Sequence, residues 1–301
     1  MERSIEPSKA IQWFPGHMAR TRRKIKEVLP QIDVVVELVD ARAPLSSRNP
    51  EIDTLTAGKP RVLVLTKSDM ADEAATRRWV AAFQKQGVPA LAVDCKTGRG
   101  VNGFVPLLRE VMADKLASWE QKGMSGRPVR ALVAGIPNVG KSSFINRMTK
   151  GGKAKVEDRP GVTRQNQWFV IEGGVHLLDT PGVLWPKFED QTAALYLAFT
   201  GAIKDQILDE EELACSLLTV LERDYKDRLM ARYKLDDSAF REDSWELLQA
   251  IGRKRGMLIS GGEVNTERAA VAVLDEYRGG KLGRISLEQA EILERRGNAS
   301  C

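Results

Sequence analysis

Short apolar runs alternate with longer segments of helical character along the first part of the chain. Residues 60–65, 88–93, 129–134 and 175–179 are apolar enough to form buried strands. Residues 74–86 and the segment that starts at Lys141 are typical of helices. Strands that alternate with helices in this way indicate an α/β domain, in which a mostly parallel sheet carries helices on both faces.

The later part of the chain shows only helical signals. Residues 209–212 are acidic and begin a segment with one apolar face and basic residues near its end. Further helices are predicted around residues 245–251 and from Asn265. We therefore expect an α/β domain over residues 1–187 and a small all-α domain over residues 188–301.

A glycine-containing loop connects one predicted strand to the helix that follows it. Residues 135–142 read Gly-Ile-Pro-Asn-Val-Gly-Lys-Ser, the pattern of a phosphate-binding loop. Its backbone N–H groups can face one anion, Lys141 would reach the β- and γ-phosphates, and the Ser142 hydroxyl would bind Mg²⁺. A turn that binds nothing is the alternative. The loop residues expected to contact the nucleotide are Asn138, Val139, Gly140, Lys141, Ser142 and Ser143.

A second phosphate motif ends the strand at 175–179. Residues 179–182 read Asp-Thr-Pro-Gly, so that Asp179 would bind Mg²⁺, usually through a water, and the N–H of Gly182 would approach the γ-phosphate. Thr163 lies between the two motifs and could complete the Mg²⁺ shell, although a solvated loop threonine is the alternative.

A motif for the base follows the strand at 60–65. Residues Thr66, Lys67, Ser68 and Asp69 would lie at the carboxyl edge of the sheet, where ligands bind in such folds. Asp69 can accept hydrogen bonds from N1–H and the 2-amino group of guanine, which adenine lacks, so GTP is favoured over ATP. Lys67 would pack its stem along the base. A strand-ending turn with local caps is the alternative.

The loop after the next strand would complete the base site. The backbone of Asp94 and Cys95 would hold the guanine O6, and Cys95 is expected to serve as a small residue rather than a nucleophile.

The base motif precedes the phosphate motifs, which reverses the order of an ordinary GTPase. In this the chain resembles the circularly permuted P-loop GTPases, and permutation is tolerable because domain termini commonly lie close together. Residues 13–18, 40–50, 178–188 and 277–284 further resemble the ribosome biogenesis GTPase A family, over nearly the whole chain. Thr66, where Asn is usual, and Asp94-Cys95 depart from the pattern.

The resemblance implies a function and a mechanism. The function is GTP hydrolysis that assists late maturation of the bacterial large (50S) ribosomal subunit, and the partner is its precursor, made of 23S rRNA and ribosomal proteins. Lys141 and Gly182 would act on the γ-phosphate. Val183 stands where many GTPases carry the Gln that orients the attacking water, and the resemblance implies that His17 takes this role. A histidine that only caps the amino-terminal helix is the alternative.

The resemblance also implies a monovalent cation. Asn138 matches the Asn that binds K⁺ in related GTPases, where K⁺ takes the place of an arginine finger. An Asn that only bridges backbone groups of the loop is the alternative.

Charge and composition indicate which class of macromolecule the protein binds. Lys and Arg number 46 against 41 Asp and Glu, which gives a net charge of +5 and an isoelectric point near 9.1. Basic residues cluster in three places and predict salt-sensitive RNA binding. No DNA partner is expected. Taken singly, each cluster is more often a solvated helix face. The clusters are residues 20–26, 253–255 and 278–284.

No apolar run is long enough to span a membrane, and the cysteines show neither metal-site nor disulfide spacing. A bacterial cytoplasmic protein is expected. A nucleotide-gated RNA-binding module with little hydrolysis of its own, and a P-loop ATPase, are the other functions that the sequence allows.

Overall fold

The structure, a computed structural model, describes residues 10–12, 16–149, 167–185, 188–204 and 208–293, with only the backbone for residues 16–18. The chain forms two compact units. Among these residues, the sheet unit comprises those of Phe14–Trp185 and Glu288–Cys301, and the helical unit those of Met1–Trp13 and Pro186–Leu287. The expected domains, 1–187 and 188–301, differ from these units at both ends of the chain.

The sheet unit is built on a six-stranded sheet with the order β3-β2-β1-β4-β6-β5. All neighbouring strands are parallel except β5 and β6, which form an antiparallel pair. The strands are β1 (Val34–Asp40), β2 (Arg61–Thr66), β3 (Ala90–Ala92), β4 (Val129–Gly135), β5 (Trp168–Ile171) and β6 (Val175–Asp179). The predicted strands at 60–65, 88–93, 129–134 and 175–179 are therefore confirmed as β2, β3, β4 and β6.

Helices connect the parallel strands and pack on the sheet. α3 begins after its N-cap Asp72, whose side chain accepts a hydrogen bond from the N–H of Ala75, and it corresponds to the helix predicted at 74–86. The helices of the sheet unit are α1 (Gly16–Val28), α2 (Pro50–Leu55), α3 (Glu73–Lys85), α4 (Phe104–Val111), α5 (Ala113–Gln121) and α6 (Lys141–Met148). Short 3₁₀ turns cover Leu29–Gln31 and Val101–Gly103.

The central strand β1 was not among the predicted strands. It is buried along its whole length and pairs with β2 on one side and with β4 on the other. Its apolar run was the available signal, but Glu37 interrupts that run and is itself buried, paired with Arg48 and Arg61. The strand order reverses between β1 and β4, and such a point in an open α/β sheet is where ligands bind.

Two hydrophobic clusters lie under one face of the sheet, to which β1 contributes Val35 and Val39. The base-side cluster, under β2 and β3, comprises Val39, Ala41, Leu63, Leu65, Ala71, Trp79, Phe83, Ala90, Ala290 and Leu293. The phosphate-side cluster, under β4 and β6, comprises Ile25, Ile32, Val35, Ile52, Leu132, Ala134, Trp168, Leu178 and Val183.

The chain returns to the sheet unit at residue 288. The buried Glu288 carboxylate accepts hydrogen bonds from the backbone N–H groups of Leu45 and Ser46, at 2.7 and 3.0 Å. The indole N–H of Trp79 donates to the Glu288 carbonyl oxygen at 3.1 Å. Residues 288–293 therefore belong structurally to the sheet unit.

The helical unit contains α7 (Gln191–Phe199), α8 (Glu210–Tyr233), α9 (Ser244–Lys254) and α10 (Thr266–Arg278), with a 3₁₀ turn at Asp237–Phe240. Asp209 and Asn265 cap α8 and α10, as their positions in the sequence suggest. α8 is kinked at Tyr225, whose hydroxyl donates to the carbonyl of Ser286. Among the helices of the described ranges, none has both the length and the apolar composition that crossing a bilayer requires.

Candidate nucleotide site

The loop after β4 has the backbone geometry of a phosphate cradle. Gly135 and Gly140 adopt φ angles of 157° and 104°, and Gly140 directly precedes α6. A Cβ on Gly135 would lie 2.8 Å from the carbonyl oxygen of Leu38, so a side chain there would collide with β1. The loop therefore lies against β1 and ends at the positive end of a helix, an arrangement that favours an anion.

Lys141 lies across this loop. Its Nζ donates to the carbonyl oxygens of Gly135 and Ile136, at 3.1 and 2.7 Å. Burial lowers the pKa of Lys141 to about 8, although the nearby Asp179 carboxylate acts in the opposite direction. A phosphate placed in the loop would favour the charged form of this lysine.

The base motif contacts the phosphate loop directly, although the two are more than 70 residues apart. The Thr66 hydroxyl lies 2.5 Å from the carbonyl oxygen of Val139 and 3.0 Å from that of Val39. Lys67 Nζ donates to the carbonyl oxygen of Asn138 at 2.6 Å. The Thr that replaces the usual Asn thus bonds to the phosphate loop through its hydroxyl.

Two residues at this junction have unusual backbone conformations. Lys67 and Asn138 both adopt φ of 56°, which is uncommon for residues other than glycine. Such conformations cluster at functional sites, where the surrounding contacts hold them in place. Here the hydrogen bond between the two residues is one of those contacts.

The expected guanine residues lie together at the ends of β2 and β3. The Ser68 N–H donates to the carbonyl of Val93 at 3.3 Å, which joins the two strand ends. Asp69 forms an ion pair with Lys96 at 3.0 Å. Burial, with the charges of Asp94 and Asp69 nearby, raises the pKa of Cys95 to about 11. Cys95 therefore remains a neutral thiol at pH 7, which does not suit a nucleophile.

Of the three residues expected to bind Mg²⁺, Ser142 and Asp179 are described, at the start of α6 and at the end of β6. Ser142 is exposed in the first turn of α6, beside the exposed Ser143. Asp179 ends β6, and its Oδ1 is buried without a hydrogen-bond partner in the described residues. Burial raises the pKa of Asp179, opposed by Lys141. A buried, unsatisfied carboxylate oxygen fits a hydrated Mg²⁺ ion.

Gly182 packs against the phosphate loop. A Cβ on Gly182 would lie 2.6 Å from the backbone nitrogen of Pro137, so the close approach requires glycine. The next residue, Val183, is buried in the phosphate-side cluster, and its N–H donates to the carbonyl of Gly135 at 3.2 Å. The Val183 side chain is therefore not available to orient a water. The side-chain amide of Asn49 donates a hydrogen bond to the carbonyl oxygen of Val183 at 2.9 Å.

Two expected residues cannot be placed in this site. The side chain of His17 lies outside the described residues, although its backbone is in α1. Thr163 also lies outside the described residues.

One group at the site had no part in the mechanism expected from the sequence. Asp40, the last residue of β1, and Arg42 are both buried, and Asp40 pairs with Arg42 and with Lys67. The segment containing them supported the family resemblance, but no local pattern shows that these charges meet beneath the base motif.

The fold and the loop geometry define a P-loop GTPase with a circularly permuted order of motifs. A family model described as a 50S ribosome-binding GTPase matches residues 130–240. The ribosome biogenesis GTPase A of Bacillus cereus is 48% identical over 93% of this chain and 94% of its own length.

Solved structures agree with this class. The GDP-bound structure of TM YlqF has a TM-score of 0.66 and 28% identity, and covers 89% of this chain and 100% of its own. GNP-bound YlqF from T. maritima has a TM-score of 0.65 and 28% identity, and covers 90% of this chain and 99% of its own. The chain belongs to the ribosome biogenesis GTPase A family. It is a GTPase, and Mg²⁺ is the metal typical of its class.

Proposed function

We propose that this GTPase assists the late maturation of the bacterial large ribosomal subunit in the cytosol. It binds the 50S precursor, through 23S rRNA and ribosomal proteins, hydrolyses GTP on the assembled particle and then leaves. The observation that supports this most directly is the 48% identity with a ribosome biogenesis GTPase A over 93% of the chain.

In the proposed mechanism, the base-reading and phosphate-binding residues hold GTP while a water attacks the γ-phosphate in line. Asp69 accepts hydrogen bonds from the guanine, and the backbone near Asp94 and Cys95 holds O6. Lys141, released from its carbonyl partners, places its ammonium group on the β- and γ-phosphates, and the Gly182 N–H contacts the γ-phosphate. His17 orients the water, because the buried Val183 offers no polar group for this.

Bound metal ions would add further charge neutralisation in this proposal. Mg²⁺ would be held by Ser142, Thr163 and, through water, Asp179, and it would stabilise the charge that develops on the phosphate oxygens. K⁺ would bind near Asn138. Hydrolysis is expected to be faster in K⁺ than in Na⁺ at equal ionic strength, and equal rates would remove K⁺ from the mechanism.

The basic clusters support RNA as part of the partner, but not every member is available. Arg253 and Lys254 are exposed in the last turn of α9. Arg278, in contrast, donates to the carbonyl oxygens of Phe199 and Ala198, at 3.1 and 2.9 Å, and so holds the end of α7. The proposed RNA contacts therefore favour the exposed residues of the clusters.

Two measurements test the proposal. Turnover should rise when 50S precursors are added, and co-sedimentation with them should be stronger with a non-hydrolysable GTP analogue than with GDP. A near-zero rate that the particle does not change would favour the nucleotide-gated RNA-binding module instead. Equal co-sedimentation in both nucleotides would remove the release step.

A further inference from the structure

A buried carboxylate lies between the base motif and the phosphate loop. Asp40 ends β1, the strand between β2 and β4, and its side chain is only 2% exposed. Arg42 binds it through two guanidinium nitrogens: Nε donates to Oδ1 at 2.9 Å and Nη2 donates to Oδ2 at 2.8 Å. Arg42 is as buried as Asp40, so the pair is shielded from water.

Lys67 extends this pair to the phosphate loop. Its Nζ lies 3.0 Å from Asp40 Oδ2 and donates to the carbonyl oxygen of Asn138 at 2.6 Å. Burial alone would raise the pKa of Asp40, but the charges of Arg42 and Lys67, with hydrogen bonds from Arg42, hold it well below its usual range. Asp40 is therefore ionised at neutral pH and fixes the Lys67 ammonium group at the loop.

The position of Lys67 in the base motif means that its contact with the phosphate loop can affect nucleotide affinity. Lys67 lies two residues before Asp69, the proposed guanine acceptor, and its other contact is the loop proposed to hold the phosphates. A nucleotide that spans both places gains affinity from the second contact only if the two are held at the correct spacing.

We propose that Asp40, held by Arg42, is a positioning residue that sets the spacing between the base motif and the phosphate loop through Lys67. The inference rests on the proposed placing of guanine at Asp69 and of the phosphates on the loop of residues 135–142. Asp40 touches neither the base nor a phosphate in this arrangement. It acts by holding the two contact regions at the spacing that lets a single GDP or GTP molecule bind both at once.

The test compares GDP, which spans the base motif and the phosphate loop, with GMP and inorganic pyrophosphate, which each resemble one part of it. Affinities of the full-length protein for GDP, GMP and inorganic pyrophosphate are measured by displacement of a fluorescent GDP. Asp40→Asn should weaken GDP by about ten-fold or more, with much smaller changes for GMP and pyrophosphate.

Asp33→Asn is the matched control. Asp33 is also buried, precedes the other end of β1, and pairs with Lys115 and Arg127 at 3.1 and 3.3 Å. This variant should lose stability but keep all three affinities. If Asp40→Asn and Asp33→Asn weaken GDP equally, or if Asp40→Asn weakens the three ligands by the same factor, the positioning role is wrong.

A second variant covers the case in which Asp40→Asn does not fold. Lys67→Met keeps an unbranched apolar stem and leaves the Asp40–Arg42 pair intact, and it should show the same selective loss for GDP. Loss of affinity for all three ligands in equal measure would again contradict the proposal. If the wild-type protein itself bound GDP no more tightly than GMP and pyrophosphate, the proposed nucleotide placement would fail instead.

Discussion

The base side and the phosphate side of the sheet are completed by opposite ends of the chain. Ala290 and Leu293, which follow the helical unit in sequence, lie in the base-side cluster with Trp79 and Phe83. Ile25, from α1, lies in the phosphate-side cluster with Val183. Each side of the candidate nucleotide site therefore includes a different terminal segment in its core.

The difference connects each terminal segment to a different part of the proposed chemistry. α1 carries His17 and is anchored by Ile25 and by an ion pair between Arg22 and Glu51 at 3.0 Å. The C-terminal segment instead binds the loop after β1 through Glu288. We therefore expect damage to α1 to affect hydrolysis, and damage to residues 288–293 to affect the base site.

The largest expected effect concerns Lys141 on the phosphate side. Lys141→Met should lower GTP hydrolysis by about 10³-fold, because the charge that develops on the phosphate oxygens loses one of the cations proposed to stabilise it. Lys59→Met is the matched control, since Lys59 Nζ also donates to a carbonyl oxygen, that of Ile32, at 2.7 Å. Turnover measured with the 50S precursor should be unchanged in the control, and a small loss in Lys141→Met would contradict the assigned role.

The second prediction compares the two clusters with matched cavities. Leu293→Ala and Ile25→Ala should each lower the free energy of unfolding by about 3 kcal/mol, because each leaves a cavity in a buried cluster. Hydrogen exchange should accelerate in β2 and α3 for the first variant and in β4 and β6 for the second.

Urea denaturation gives the totals, and exchange gives the location. If both variants accelerated exchange in the same strands, the two sides would form one cooperative core. The two clusters would then not be separately stable parts of the sheet unit.

Much of the phosphate side could be predicted from local sequence. Gly135, Gly140, Lys141 and Asp179 occur in short sequence patterns that are typical of one backbone geometry, and the strands before them are plain apolar runs. The helix starts at Asp209 and Asn265 are equally predictable from the sequence, because a helix cap is a contact between close neighbours in sequence.

The connections between the parts were not predictable in the same way. Asp40 meets Lys67 across neighbouring strands, and Glu288 binds residues more than 240 positions away. A single sequence carries no local sign of such pairs. The strand β1 also escaped prediction, because its central Glu37 resembles a solvent-exposed residue until Arg48 and Arg61 are seen to pair with it.

The third prediction separates base reading from phosphate binding. Asp69→Asn should weaken the affinity for GDP by about 10- to 100-fold. The Asn side chain would place its NH₂ group, a donor, opposite one of the two N–H donors of guanine. Affinity for pyrophosphate should stay the same. A xanthine nucleotide, which carries a carbonyl in place of the 2-amino group, should bind the variant better than the wild type does.

Competition with a fluorescent nucleotide measures all three ligands. A parallel loss of pyrophosphate affinity would show that Asp69 supports the phosphate loop and does not read the base.

The smallest expected effect is the cost of burying Lys141 in the protein without nucleotide or metal. Its folded-state pKa of about 8 lies below its ordinary value of 10.5, so the unfolded chain binds more protons between these pH values. The cost is therefore fully present below pH 8 and is relieved as the pH rises towards 10.5. Because Met also loses the hydrogen bonds of Nζ, Lys141→Met should be more stable than the wild type by only about 1 kcal/mol at pH 7. By pH 10 most of the cost is relieved, so the advantage should be replaced by a net loss of stability, as measured by urea denaturation in EDTA. An advantage that did not change with pH would mean that the folded protein does not carry a destabilised charge in its phosphate loop.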